Sequence, residues 1–262
     1  MKKIITSISV LAVVAVAVVG ATTAFFNDTE TSTGNIFTAG SIDLTVDSQG
    51  ASYNGNSLLG SNFPSVNLTS EHFFVFEDIK PGDYGVRNIS LHAESNPAYS
   101  CLLIDNKDDD ENVAVDPELE AGDDNSLVGE LSKALQLFAW EDRDGDQRYE
   151  PLAPNLEPAL MHDGPDSNPD SFFDITYEIF FDSTSGISPL IQNNVRHIGL
   201  AWCAGNQNVV HDNSLGNITC DGSGMGDVSQ TDSFEADVVL YAEQTRNNPD
   251  FKCEDVELNP QP

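Results

Sequence analysis

Asp142, Asp144, Asp146 and Glu150 recur along Asp142-Arg143-Asp144-Gly145-Asp146-Gln147-Arg148-Tyr149-Glu150. Carboxylates at alternate positions on a tight glycine turn can converge on one hard cation, and Glu150 can close the shell as a later ligand. Oxygen-only ligation of this kind suits calcium. The segment is not an EF-hand. That loop needs Gly at its sixth position and Glu at its twelfth, where this chain has Gln147 and Ala153, and no helices are expected to flank it. The expectation is a β-loop stapled by calcium as cofactor. The plainer alternative is a polar hairpin turn, in which Asp-Gly serves conformation alone.

Other chemistry is thinly supported. The histidines are His72, His92, His162, His197 and His211. None lies in HExxH or HxxEH, and no pair has the spacing that puts two imidazoles on one helical face. There is no GxSxG elbow and no Gly-rich phosphate loop. Catalysis is not expected. Asp105 to Asp124 holds a dense acidic run, with Lys107 alone opposing. Such a run repels itself unless solvated or bound to cations. It reads as a solvated surface loop, with divalent cation binding as the alternative.

The four cysteines are Cys101, Cys203, Cys220 and Cys253. An even count in a secreted chain points to two disulfides. Of the three pairings, Cys203 with Cys220 is favoured because it brackets a Gly/Asn-rich excursion. Cys101 with Cys253 would then pin the C-terminal tail to a core strand. A four-cysteine metal site lacks CxxC spacing.

Positioning these groups falls to a β-rich chain. Gly, Pro, Asn, Asp and Ser punctuate it throughout, and 39% hydrophobic content supports a core. Ile42, Leu44 and Val46 alternate with polar residues, the signature of a half-buried strand. Further strands are expected at Phe73 to Phe76, Arg87 to Ala93, Ala98 to Ile104 and Gln136 to Trp140. Others are expected at Phe173 to Phe181, Ile187 to Ile191, Val195 to Cys203 and Phe234 to Glu243. Gln49 to Asn62 and Gly205 to Asp232 read as loops, and Ser126 to Leu135 as the one short helix. The expectation is an all-β sandwich of roughly nine or ten strands, jelly-roll-like, with long acidic loop insertions.

Lys2 and Lys3, the apolar run Ile4 to Val19, and the small residues Gly20 to Ala24 read as a secretory signal over residues 1–23. Its apolar stretch falls short of the roughly 20 residues that span a bilayer. Cleavage would leave no stable membrane anchor and a secreted, extracellular or cell-surface chain. The formal net charge is −32. That argues against nucleic-acid partners, which are bound through Lys and Arg, and disfavours anionic membranes. Sequons stand at Asn27, Asn67, Asn88 and Asn217. Glycans are expected at Asn67, Asn88 and Asn217.

The segment from Ala24 to Val46 resembles the start of mature TasA/camelysin-type secreted proteins, whose signals are removed by the SipW type of signal peptidase. The run Asp78-Ile79-Lys80-Pro81-Gly82-Asp83, then Ile89-Ser90-Leu91, then Ser95-Asn96-Pro97-Ala98, is similar to that family's "L-K-P-G-D … S-N-P-A" segment. The loop cysteines and acidic insertions also resemble archaeal filament relatives of TasA. The resemblance implies a jelly-roll over residues 36–262 and a filament subunit. Residues 24–35 would be a strand donated to the next subunit, making the chain its own head-to-tail partner. Ala24, Phe25, Phe26, Asn27, Asp28, Thr29, Glu30 and Thr31 form that extended donor, with the two phenylalanines as knobs. A glycan on Asn27 would obstruct donation, so that sequon is expected empty. The alternatives are a first strand within the same domain, a monomeric surface or matrix adhesin, and a metallopeptidase. Camelysin-like members are classed as metallopeptidases, although no zinc-protease motif is present here.

Overall fold

The computed structural model describes residues 42–123, 127–161 and 168–258. The signal segment, the donor segment with its Asn27 sequon, and His162 lie outside them. Within them the fold is all-β, built of antiparallel sheets. The larger sheet runs β2-β1-β4-β9-β6-β7. Its strands are β1 (Leu44–Tyr53), β2 (Asn56–Ser57), β4 (Tyr84–Ala93), β6 (Leu135–Glu141), β7 (Asp170–Ser171) and β9 (Val195–Ala204), with β3 (Phe63–Val66) also on β1. The smaller sheet sets β5 (Ala98–Asp110) between β8 (Tyr177–Phe181) and β12 (Ser233–Gln244). A separate hairpin joins β10 (Asn206–Val209) to β11 (Ile218–Asp221).

Alternation along the strands decides what is buried. Ile89, Leu91, Ile198 and Leu200 share one core with Leu102 and Ile104 of β5 and Phe180 of β8. Alternating with them are Asn88, Ser90, His197 and Gly199, which look to the opposite face of the larger sheet. Phe138 and Trp140 share that face through the Trp140–Gly199 pairing. A Cβ at Gly199 would lie 2.2 Å from the indole of Trp140, so the ring rests directly on glycine backbone. The opposite side of β5 carries a second cluster. There Cys101, Leu103 and Cys253 pack with Tyr177, Val239 and Tyr241 under the C-terminal tail.

Disulfides join Cys101 to Cys253 and Cys203 to Cys220. The first ties the tail to β5, helped by Phe251, which stacks on Tyr99 at 5.4 Å. The second ties β9 to β11. Each closure stabilises by about 3–5 kcal/mol through the unfolded chain.

Several elements differ from expectation. Gln49 to Asn62 is not all loop. β1 continues to Tyr53 and turns through Asn54 and Gly55, both at positive φ, into β2. Asn-Gly is the strongest short hairpin signal, because both residues accept positive φ. Phe73 to Phe76 is no strand. Its rings serve as a plug instead, with Phe76 packed 4.6 Å from Trp202. Ile187 to Ile191 contributes only the bridge Leu190–Ala98. The acidic run is not one solvated loop: β5 carries it as far as Asp110. A six-residue helix, α1 (Asp116–Ala121), follows, capped at its end by Gly122 at φ 103°. The helix expected at Ser126 to Leu135 is a single turn, α2 (Leu131–Ala134), because Leu135 already pairs with Ala204. The described residues therefore hold two short helices rather than one.

The Gly199→Ala variant should lose about 2–3 kcal/mol of stability, since neither backbone nor indole can yield the room. Urea unfolding of the two proteins checks this.

Candidate metal centre

The loop after β6 folds over the face of the larger sheet that carries Phe138 and Trp140. Asp142 is fully buried, and it organises the loop rather than opening towards solvent. Its Oδ1 accepts the N–H of Gly145 at 2.9 Å and of Asp146 at 3.1 Å. Its Oδ2 accepts the N–H of Gln147 at 2.9 Å and the side-chain amide of Asn88. Gly145 sits at φ 75° and Gln147 at φ 69°, so the backbone coils round this one carboxylate. Tyr149 then dives inward, 5.1 Å from Phe138, while the Trp140 indole donates to the Arg148 carbonyl at 3.0 Å.

The four expected ligands do not form a single shell. Asp144, Asp146 and Glu150 come together, with oxygens within 4.8 Å of one another. Asp142 groups instead with Asp144 and with Glu157, a residue the sequence reading missed. Asp144 belongs to both groups. Glu157 is fully buried, accepting the Arg143 N–H at 2.9 Å and the Glu150 N–H at 2.8 Å. It therefore clips both ends of the loop. Nearby Asn155 donates its side-chain amide to both Asp144 and Glu150, bracing the same loop. The outer group is held meanwhile by Arg148, 3.1 Å from Glu150 and 3.6 Å from Asp146. A cation entering there would have to displace that guanidinium.

Burial pushes the Glu157 carboxyl up to about 7, against the pull of its two backbone donors and with help from Asp142 and Asp144. Burial also raises Asp142, against the N–H groups of its loop.

Asp83 ends the Pro-Gly turn that the sequence singles out. Lys80 to Asp83 closes as a type II turn, with Gly82 at φ 86° and the Asp83 N–H on the Lys80 carbonyl at 2.9 Å. The Asp83 carboxylate accepts Tyr53 at 2.6 Å, Asn54 at 2.7 Å and the Lys80 N–H at 2.8 Å. Burial would raise its pKa, but these donors outweigh burial and hold it below the usual range. This motif residue is thus a clasp between the β1–β2 turn and the start of β4.

The histidines described stand apart from one another. His92 lies 2.8 Å from Asp47, His197 2.9 Å from Ser90, and His211 2.8 Å from Tyr149. Among the described residues, every group able to hold a metal is made of carboxylates alone. Of the sequons, Asn67 is exposed. Asn88 and Asn217 are buried, with their amides committed to Asp142 and to the Tyr149 and Asp212 carbonyls. The folded domain has no room for glycans at those two positions.

Residues 1–124 match the model of the Peptidase_M73 family, described as camelysin metallo-endopeptidase. Over those residues the chain is similar to the camelysin family. The camelysin match takes in the Pro-Gly-Asp clasp and the strands β1 to β5, and it ends before the acidic loop at Asp142. A search of curated proteins finds no match.

Glu157 gives a pH test. Its folded pKa lies above the unfolded value of 4.5, so folding takes up a proton between the two. Its contribution is full below about 4.5 and gone above about 7. In chelator, the stability of wild type relative to Glu157→Gln should fall as pH rises through that window, by on the order of 2–3 kcal/mol at most. Urea unfolding across the window measures it, and calcium should oppose the fall.

Proposed function

We propose that this chain is a secreted structural subunit of an extracellular filament or matrix fibre. Its mature N-terminal strand, from Ala24, is donated to the next subunit, and calcium bound at the Asp142–Glu157 loop stiffens the acceptor. The observation that carries this reading is the edge of β12. Among the described residues, this 12-residue strand pairs only with β5. Phe234, Ala236, Val238 and Leu240 pack against the main core, and Val239 and Tyr241 against the smaller one, yet all remain partly exposed. An open edge of that length, apolar on both faces, recruits a strand.

The donor segment suits it. Residues 24–35 match the edge in length, and adjacent Phe25 and Phe26 must point to opposite faces of any strand they form. One would cover the Val238–Leu240 side and the other the Val239–Tyr241 side. A fourth strand would also bring the smaller sheet towards the balance of a jelly roll. Head-to-tail contact of this kind need not close on itself and can propagate.

The family description names a metallo-endopeptidase. Among the described residues the grouped carboxylates suit hard cations better than catalytic zinc. A zinc assay and chelator-sensitive casein cleavage would decide in favour of the peptidase.

Negative-stain microscopy of the chain beginning at Ala24, incubated with calcium, should show regular filaments. Deleting residues 24–34 should leave a folded monomer whose melting temperature rises on adding a peptide of residues 24–35. Dispersed particles from the full mature chain would favour a monomeric adhesin and overturn the filament reading.

A further inference from the structure

A second acidic centre lies at the start of β12, away from the Asp142 loop. It gathers carboxylates from four separate stretches of chain. Glu111 follows directly on β5, Glu118 lies on α1, Asp123 follows α1, Glu130 precedes α2, and Asp232 precedes β12. Glu111 is the hub of two overlapping triads. One joins it to Glu118 and Asp232, the other to Asp123 and Glu130, each with oxygens within 4.8 Å of one another.

The outer members are held in place by their own partners. Glu118 accepts the Val115 N–H at 2.5 Å, and Asp232 accepts the Glu130 N–H at 2.6 Å. Thr231 donates to the Val113 carbonyl at 2.7 Å, and Asn112 to the Thr231 carbonyl at 2.9 Å, lacing the two walls together. A Cβ at Gly129 would lie 2.8 Å from the Asp232 carboxyl, so the chain passes this close only as glycine. At the rim, Lys133 lies 3.7 Å from Glu130.

Glu111 is different. The residue is 8% exposed, and neither carboxylate oxygen receives a donor from the protein, its immediate neighbour being the Asp232 carboxyl. A buried carboxylate without a donor is costly, and this one points into four other carboxylates. A positive ligand resolves that conflict. Oxygen donors alone, drawn from several carboxylates on a semi-rigid frame, select a hard divalent cation.

We propose that Glu111, Glu118 and Asp232, with Asp123 and Glu130 at the second side, form a divalent cation site of the calcium type. It is distinct from the Asp142 loop and pins α1 to the base of β12. The competing account is a proton shared between Glu111 and Asp232, with no metal.

The test uses the mature chain, stripped with chelator and titrated with calcium by calorimetry. Glu111→Gln should bind about one calcium fewer per chain than wild type, with a smaller calcium-dependent rise in melting temperature. Asp232→Asn should do the same, and serves as the reading where Glu111→Gln fails to fold by near-ultraviolet circular dichroism. Asp144→Asn should leave this binding event in place. Unchanged stoichiometry in folded Glu111→Gln or Asp232→Asn would overturn the site and leave the shared proton. Filament formation has no part in this readout, so the two readings stand or fall separately.

Discussion

Backbone N–H groups aimed at buried carboxylates hold this protein together. The chain has 43 acidic residues against 11 Lys and Arg, so side-chain cations cannot satisfy them all. The fold turns main chain towards them instead. Asp142 takes three N–H groups of its own loop, and Glu157 takes one from each end of it. Asp182 accepts Thr184, Ser185 and, from far along the chain, Cys253. Asp83 and Glu118 do the same at the clasp and at α1. Hydrogen bonds to a charged group contribute about 1.5–3 kcal/mol each. Here they also set where loops go, because a buried carboxylate tolerates few other positions.

The same excess explains why cations recur in the functional reading. Along β5 and β12, Asp105 faces Asp237 and Asp108 faces Glu235. Like charges directly opposite each other in a ladder are destabilising. Among the described residues, no further strand lies on the outer edge of β12 in that pair. In the fibre we propose, an acidic frame accepting a further strand from a similarly acidic neighbour would need counter-charge near the joint. The Glu111 carboxylates gather at the base of β12, where Asp232 leads into the strand.

Much of the scaffold was legible from local pattern. The strands around Ile89, Leu102, Trp140, Leu200 and Leu240 announce themselves by alternation, since one face is buried and the other is not. The Pro81-Gly82 turn was legible because only that pair presets both dihedrals. Phe73 to Phe76 misled for the converse reason: an apolar run records burial, not the geometry that achieves it. The acidic block misled because charge suggests solvation, whereas cross-strand pairing carried β5 through it to Asp110.

The sequence by itself determined the β class, the turn chemistry, the strongly acidic character and the supply of oxygen ligands. These follow from short-range sterics and from charge, which each residue carries wherever it lies. Tertiary structure alone decided which carboxylates meet. Glu157 joins Asp142, and Glu111 gathers Glu118 and Asp232, across separations that no spacing rule reaches. It also decided that Asn88 and Asn217 are buried donors rather than surface sequons. The reason is physical: convergence depends on sheet order and loop closure, which are properties of the packed core and not of any one segment.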